Sequence, residues 1–177
     1  VQGGGGIEST SAANGASGKV KLDAADSVIV TGQIVDPLQP DAMVRSHVSN
    51  ELNTPGTGIN QGISIHATDV TVIDGGRIES QTHDGSGGEI EIAADRRITV
   101  GGPLTIASGT NNGQIGAVTL EAPAITFNDH GTITSTTASN SNAGSIRVTG
   151  ADIRLEEGSL IRTNTELKSG QAGNIVI

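Results

Sequence analysis

Short pairs of alternating aliphatic residues recur along this chain at a nearly constant interval. The clearest series begins at Ile63, Ile90, Val118, Ile146 and Ile175, with successive intervals of 27, 28, 28 and 29 residues. A repeat of roughly 20–50 residues is typical of solenoids, in which each unit buries its apolar face only against its neighbours. The interval therefore predicts a stack of similar coils and not a globule with one central core.

Each repeat contains three apolar stations, and all of them alternate with the period of two that defines a β-strand. None shows the spacing of an amphipathic helix. We therefore predict an all-β fold, a right-handed parallel β-helix of about six coils of about 28 residues, with three short strands per coil. The first station begins at Ile7, Val44, Ile78, Ile106, Ile133 and Ile161, the second at Val20 and the five positions given above, and the third at Val28, Val70, Ile98, Ile125 and Ile153.

The same alternation separates inward from outward side chains. Hydroxyl side chains are expected to stack inside and to hydrogen-bond from coil to coil, each bond contributing about 0.5–1.5 kcal/mol. Outside, Glu8, Arg45 and Glu79 are predicted to share one site in the first three coils, where opposite charges on adjacent rungs attract. The two hydroxyl files comprise Ser9, Ser46, Ser80, Ser108, Ser135 and Thr163, and then Ser11, Thr82, Thr110, Thr137 and Thr165.

Composition excludes several classes of partner. The formal net charge is −9 over 177 residues, which disfavours nucleic acid and acidic membrane surfaces, because both attract clustered Lys and Arg. No apolar run is long enough to cross a bilayer as a helix, so no membrane insertion is expected. Gly occurs 26 times, mostly between apolar runs, which is typical of turns.

The chain is interpreted as one β-helix segment over 1–177, an internal fragment of a longer polypeptide, because it opens on a glycine run and stops within an apolar alternation. The second coil is longer than the others and predicts insert loops at about 33–41 and 50–61. Insertions in solenoids often form binding loops, although a tolerated surface excursion is the alternative. The candidate binding residues are Asp36, Gln39, Asp41, Asn53 and Asn60.

Groups suited to catalysis are scattered over different corners of the predicted coil. They are His83-Asp84, Asn128-Asp129-His130-Gly131 and Arg96-Arg97 beside Asp95. Acidic residues after the third station share one corner, where Asp and Asn usually bond their own backbone in turns. These acidic residues are Asp74, Asp129, Glu156 and Glu157. We therefore predict no catalytic, cofactor-binding or metal-binding residues, and no enzyme.

Three stretches carry a family resemblance: Gln171-Ala172-Gly173-Asn174-Ile175-Val176-Ile177, Gly75-Gly76-Arg77-Ile78-Glu79-Ser80 and Gly87-Gly88-Glu89-Ile90-Glu91-Ile92. They resemble the repetitive β-helix body of large filamentous haemagglutinin-like exoproteins of bacterial two-partner secretion. The resemblance implies a secreted rod on the bacterial cell surface, often an adhesin or matrix component. It transfers no functional residue.

Three functions follow as expectations. The leading one is a structural rod segment of a large secreted bacterial surface protein, acting in adhesion or extracellular fibre formation. Its partner would be a host or neighbouring-cell surface or a glycan. The alternatives are a fragment of a β-helical polysaccharide-active enzyme, a lyase or depolymerase, and a self-assembling filament subunit that associates end to end through exposed strand edges.

Overall fold

A computed structural model describes residues 1–12, 15–53, 58–83, 85–108, 115–137, 141–165 and 169–177, with 103–108 described at the level of the backbone. Within these residues the chain forms strands and no helix. The strands are β1 Gly6–Ser11, β2 Val20–Asp23, β3 Ser27–Thr31, β4 Gln33–Asp36, β5 Gln39–Arg45, β6 His47–Leu52, β7 Ile63–Ile73, β8 Arg77–Thr82, β9 Ile90–Val100, β10 Pro103–Ser108, β11 Val118–Glu121, β12 Ala124–Phe127, β13 Thr132–Thr137, β14 Ile146–Thr149, β15 Asp152–Leu155, β16 Leu160–Thr165 and β17 Ile175–Val176.

Two parallel sheets form the walls of the stack. One contains β1, β6, β8, β10, β13 and β16 in that order. The other combines the second and third stations, because β7 and β9 are each eleven residues long and run through both. Shorter strands pair with their two halves: β2 and β3 with β7, and β11 and β12 with β9. The protein is an all-β parallel solenoid of about four turns with a spacing of about 28 residues.

Aliphatic residues of successive turns lie directly over one another in the core. Ile63 pairs with Ile90, Ile90 with Val118 and Val118 with Ile146, and all four are fully buried. The third station is in register in the same way, from Val70 through to Ile153. The predicted stacking of both stations is confirmed. Burying each such side chain contributes about 1.5–3 kcal/mol.

The first station of the second coil differs from the prediction. Val48, not Val44, pairs with Ile7 on one side and Ile78 on the other. Val44 and Arg45 belong to β5, which forms an antiparallel two-stranded sheet with β4. This alternating segment therefore forms part of a hairpin, and the chain enters the parallel wall four residues later.

The register in β10 also differs. Leu104 pairs with Ile78 and Ile133, so Ile106 is level with Ser80 and Ser135. Ser108 consequently belongs to the second hydroxyl file, level with Thr82 and Thr137. Thr110 lies outside the described residues. A shift of two residues keeps every side chain on its face, which is why alternation alone did not exclude it.

The predicted coil-to-coil ladder of hydroxyls is interrupted at several described rungs. Among the described residues, the hydroxyl oxygens of Ser80, Thr82 and Ser135 have no hydrogen-bond partner. Ser9 instead donates to the Gly18 carbonyl at 3.0 Å, and Thr163 donates to the Gly173 carbonyl at 2.8 Å. Ser9 and Thr163 thus bond the glycine corner of their own coil.

Glycines stack at the corner before the second station. A Cβ added at Gly116, Gly144 or Gly173 would collide with the backbone of the glycine one turn earlier. Only glycine lets successive turns approach so closely. At the corner after the third station, Asp74, Asp129 and Glu157 adopt positive φ angles of 52°, 44° and 50°. The predicted turn at that corner is therefore confirmed.

Candidate functional site

The first predicted insert forms the hairpin of β4 and β5, which continues to Arg45, beyond the predicted end at 41. Its turn is closed by Asp36, whose Oδ1 accepts a hydrogen bond from the Leu38 amide at 2.8 Å. Leu38 at the tip is 88% exposed. The hairpin leaves the stack between the third and first stations, so its second strand borders the outer face of the β6 wall.

A depression of about 330 Å³ lies where the hairpin meets that wall. We call it the hairpin groove. It is bordered by one strand of the hairpin and floored by the outward side chains of two neighbouring wall strands. The lining residues are Met43, Val44, Arg45, His47, Ser49, Glu51, Arg77 and Glu79.

Three outward residues form a row across the first three strands of this wall. Glu8 pairs with Ser49, and Ser49 pairs with Glu79. The prediction that Arg45 occupies the middle site is wrong, because β6 enters the wall four residues later. Two carboxylates therefore flank a hydroxyl, with their Cα atoms about 10 Å apart, which is two strand spacings.

Glu79 is the most deeply placed charge of the groove. Its side chain is 7% exposed, and Oε1 accepts hydrogen bonds from Arg77 Nη2 at 2.7 Å and from Gln81 Nε2. Burial raises the pKa of Glu79 above its usual value, because the charged form loses water, and the nearby Arg77 opposes this only in part.

His47 connects the groove to the first strand. Its Nδ1 lies 2.9 Å from the Arg45 carbonyl and its Nε2 lies 2.5 Å from Glu8 Oε1. Burial alone would lower the pKa of His47, but these two acceptors and the charge of Glu51 outweigh it, so the pKa is raised. Two acceptors suit a protonated ring, since both nitrogens then donate.

Two polar atoms of the groove are buried without a protein partner. Ser49 is 2% exposed, and neither its Oγ nor Arg77 Nε has a hydrogen-bond partner within the described part of the chain. Most buried polar groups in proteins are hydrogen-bonded, so an orphan that lines a depression has unused capacity to bind.

The predicted binding residues divide between the hairpin and the wall. Asp36, Gln39 and Asp41 lie in the hairpin, where Gln39 and Asp41 border a second depression of about 430 Å³. Asn53 is exposed, and its Nδ2 donates to Glu51 Oε2 at 3.0 Å, at the edge of the hairpin groove. None of the five lines the groove itself.

Asn60 is a structural residue and not a free binding group. It is 3% exposed; its Nδ2 donates to the carbonyls of Asn50 and Gln81 at 3.0 and 2.9 Å, and its Oδ1 accepts from the Gly62 amide at 2.9 Å. The second insert is also shorter than the predicted 50–61, because 50–52 belong to β6.

The other charged groups considered in the sequence lie away from the groove. Arg96 pairs with Asp69 on the adjacent strand, with Nε 3.0 Å from Oδ1. Asp95 lies 3.4 Å from His66 Nε2. Both pairs join β9 to β7, and Arg96 and Asp69 carry opposite charges on neighbouring strands. Asp84 lies outside the described residues.

The groove is suited to binding a polar ligand. Each flanking carboxylate already holds a donor from the protein, Glu8 from His47 and Glu79 from Arg77. The remaining lone pairs of these carboxylates can accept hydrogen bonds from hydroxyl or amide groups of a ligand. In the part of the chain that the structure describes, no three His, Cys, Asp or Glu side chains gather closely enough to hold a metal ion.

Comparison with protein-family models, curated proteins and solved structures gave no match for this chain. The described residues contain no helix that is long and apolar enough to span a membrane. The class that the coordinates establish is the parallel β-solenoid.

Proposed function

We propose that this chain is a structural rod segment of a large secreted bacterial surface protein of the filamentous haemagglutinin-like type, acting in adhesion or extracellular fibre formation. In this proposal the segment comprises six right-handed coils with three strands each, and its place is the bacterial cell surface. A host cell, a neighbouring cell or a glycan is its partner.

The observation that carries the proposal is the unbroken aliphatic ladder of the core. Ile63, Ile90, Val118 and Ile146 occupy the same buried site in successive turns. In such an architecture every added turn lengthens the stack by about 4.8 Å without changing its cross-section, so length follows directly from repeat number. A long, regular and narrow body is what a surface fibre requires.

A second feature supports the adhesive role. Among the described residues the hairpin interrupts the stacked walls, and it adds the exposed Leu38 and one side of the groove to their outer face. Solenoids commonly bind through such local additions, while the stack holds them at a fixed position.

Immunogold electron microscopy of intact cells of the source organism tests the proposal. Antibodies raised against the purified 177-residue chain are expected to label thin fibres outside the cell, whereas antibodies against a cytoplasmic protein label only permeabilised cells. Labelling that appears only after permeabilisation would contradict the proposed function.

A further inference from the structure

The hairpin groove has the features of a ligand site that the chain itself does not fill. Ser49 and Arg77 line the groove, and their Oγ and Nε atoms are buried without partners among the described residues. A hydroxyl both donates and accepts, whereas Nε only donates. Leaving such groups unpaired destabilises the folded chain, and a ligand bonded to both would recover the lost hydrogen bonds.

The charge of the groove selects against ions. Three acidic and three basic side chains surround it: Glu8, Glu51, Glu79, Arg45, Arg77 and His47. The three acidic side chains repel a phosphate or carboxylate ligand, and the three basic side chains repel an ammonium ligand. A neutral ligand with closely spaced donors and acceptors avoids both penalties.

The volume and the border of the groove indicate which class of neutral ligand fits it. A volume of about 330 Å³ lies at the lower end of the range for small-molecule sites. Met43, which is 48% exposed, offers an apolar edge beside the polar floor. A sugar ring presents the same combination, with adjacent hydroxyls on its edge and C–H groups on its face.

We propose that the hairpin groove binds one neutral sugar unit of a glycan, with a pair of adjacent hydroxyls held by Ser49, Arg77 and Glu79. This inference rests on the proposed adhesive function and names the partner of that function. Ser49 Oγ bonds one hydroxyl, Arg77 Nε donates to its neighbour, and the Glu79 carboxylate accepts from one of the two.

Binding at one groove is expected to be weak. The chain has no Tyr or Trp and a single Phe, which is buried, so no large aromatic side chain stacks on the sugar. A surface fibre compensates by presenting many copies to one glycan-coated surface, because linked sites gain affinity through their effective concentration.

Saturation-transfer NMR on the purified chain tests the inference with the methyl glycosides of glucose, galactose and mannose. At least one is expected to receive saturation, and methyl glucuronide and glucosamine are expected to bind more weakly. Absence of saturation in all three neutral sugars at millimolar concentration, or tighter binding of a charged sugar, would overturn the proposal.

Variants assign the binding to the groove. Ser49→Ala is expected to weaken binding of the responding sugar about 3- to 10-fold, which corresponds to the loss of a neutral hydrogen bond. Glu79→Gln is expected to weaken its binding about 10- to 100-fold, which corresponds to the loss of a charged hydrogen bond. Thr134→Ala, on the outer face of β13, is the matched control and should bind as the wild type does. Unchanged binding by Ser49→Ala overturns the assignment.

Ser49→Ala keeps the test decisive even if Glu79→Gln disturbs folding, because it removes an oxygen that has no protein partner among the described residues. The two proposals also fail separately. Surface labelling without sugar binding contradicts only the groove, whereas sugar binding that depends on Ser49 without surface labelling contradicts only the fibre.

Discussion

The regular turns from Ile63 onward and the second coil, over 33–62, fill the interior of the stack and join neighbouring coils with different side chains. In the regular turns, aliphatic residues repeat at each rung, and those of the second station are fully buried from Ile63 to Ile146. In the second coil, Asn50 stands where the file has Ser9 before it and Ser80 after it. Its Nδ2 donates to the carbonyls of Gly18 and Gly62 at 2.6 and 2.7 Å. An amide thus joins coils that the hairpin interrupts.

The contrast teaches how a repeat tolerates an interruption. Asn50 replaces a small hydroxyl, and the longer amides of Asn50 and Asn60 reach backbone carbonyls of neighbouring coils, those of Gly18 and Gln81. The cost is a set of polar groups that must all be bonded or exposed. The four predictions below are ordered from the largest effect to the smallest.

The largest effect is expected in the regular turns. Ile146→Asp places a charge in the fully buried ladder and should abolish cooperative folding, because an unpaired buried charge costs several kcal/mol. Arg147→Asp, the adjacent and outward residue of β14, is the control and should melt within a few degrees of the wild type. Thermal unfolding followed by circular dichroism measures both, and equal melting temperatures would refute the inward assignment of Ile146.

The glycine corner gives the next effect. Gly144→Ala should destabilise the fold by about 1–3 kcal/mol, because its Cβ meets the Gly116 backbone, which cannot move without shifting a turn. Gly15→Ala has open space around its Cβ and should leave stability nearly unchanged. Urea titrations of the two variants provide the comparison. A Gly144→Ala protein as stable as Gly15→Ala would show that the turns are not so closely stacked.

Substitutions of the two asparagines of the second insert are expected to differ in their effect on stability. Asn60→Ala should cost about 1–3 kcal/mol, because it leaves the backbone carbonyls of Asn50 and Gln81 without this donor. Asn53→Ala should change stability by no more than about 0.5 kcal/mol, since Asn53 is exposed. The free energies of unfolding in urea distinguish them. Similar values for both would mean that Asn60 does not hold the second coil to its neighbour.

The smallest expected effect is a pH dependence of the free energy of unfolding that comes from Glu79 in the groove. Burial raises the pKa of Glu79 in the folded state, so its contribution to stability is complete below the unfolded value, near 4.5, and is lost as the pH rises through the folded value. Glu79→Gln removes this loss. The variant should therefore gain stability relative to the wild type between pH 4 and pH 7.

Glu91→Gln is the control for this titration, because Glu91 is an exposed outward residue of β9. Urea unfolding at several pH values gives the difference between each variant and the wild type. A difference for Glu79→Gln that stays constant or shrinks as the pH rises would contradict the burial of this carboxyl.

Much of the fold could be predicted because its main signal is periodic. The second and third stations keep a fixed spacing and one aliphatic pair each, so only one register satisfies them. The errors arose where the sequence offers two equivalent choices. Leu104 and Ile106 both suit an inward position. The pairing with β8, not the local sequence, determines which of them lies level with Ile78.

The candidate site was only partly predictable for the same reason. The inserts located the hairpin, and the Asp36-Pro37 turn between alternating runs was a usable hairpin signal. Val44-Arg45-Ser46 matches the repeat but lies in or next to the hairpin, whereas Val48-Ser49-Asn50 replaces the expected Ser by Asn. The row of Glu8, Ser49 and Glu79 therefore appears only once the strands are paired.

The closeness of the stacked glycines has a practical consequence for engineering and for natural variation. One corner of each turn has no room for extra atoms, so foreign peptides have to enter elsewhere. The tip at Leu38 points away from the stack and already carries an excursion. A grafted epitope at that tip would be displayed at a fixed height on a stiff carrier.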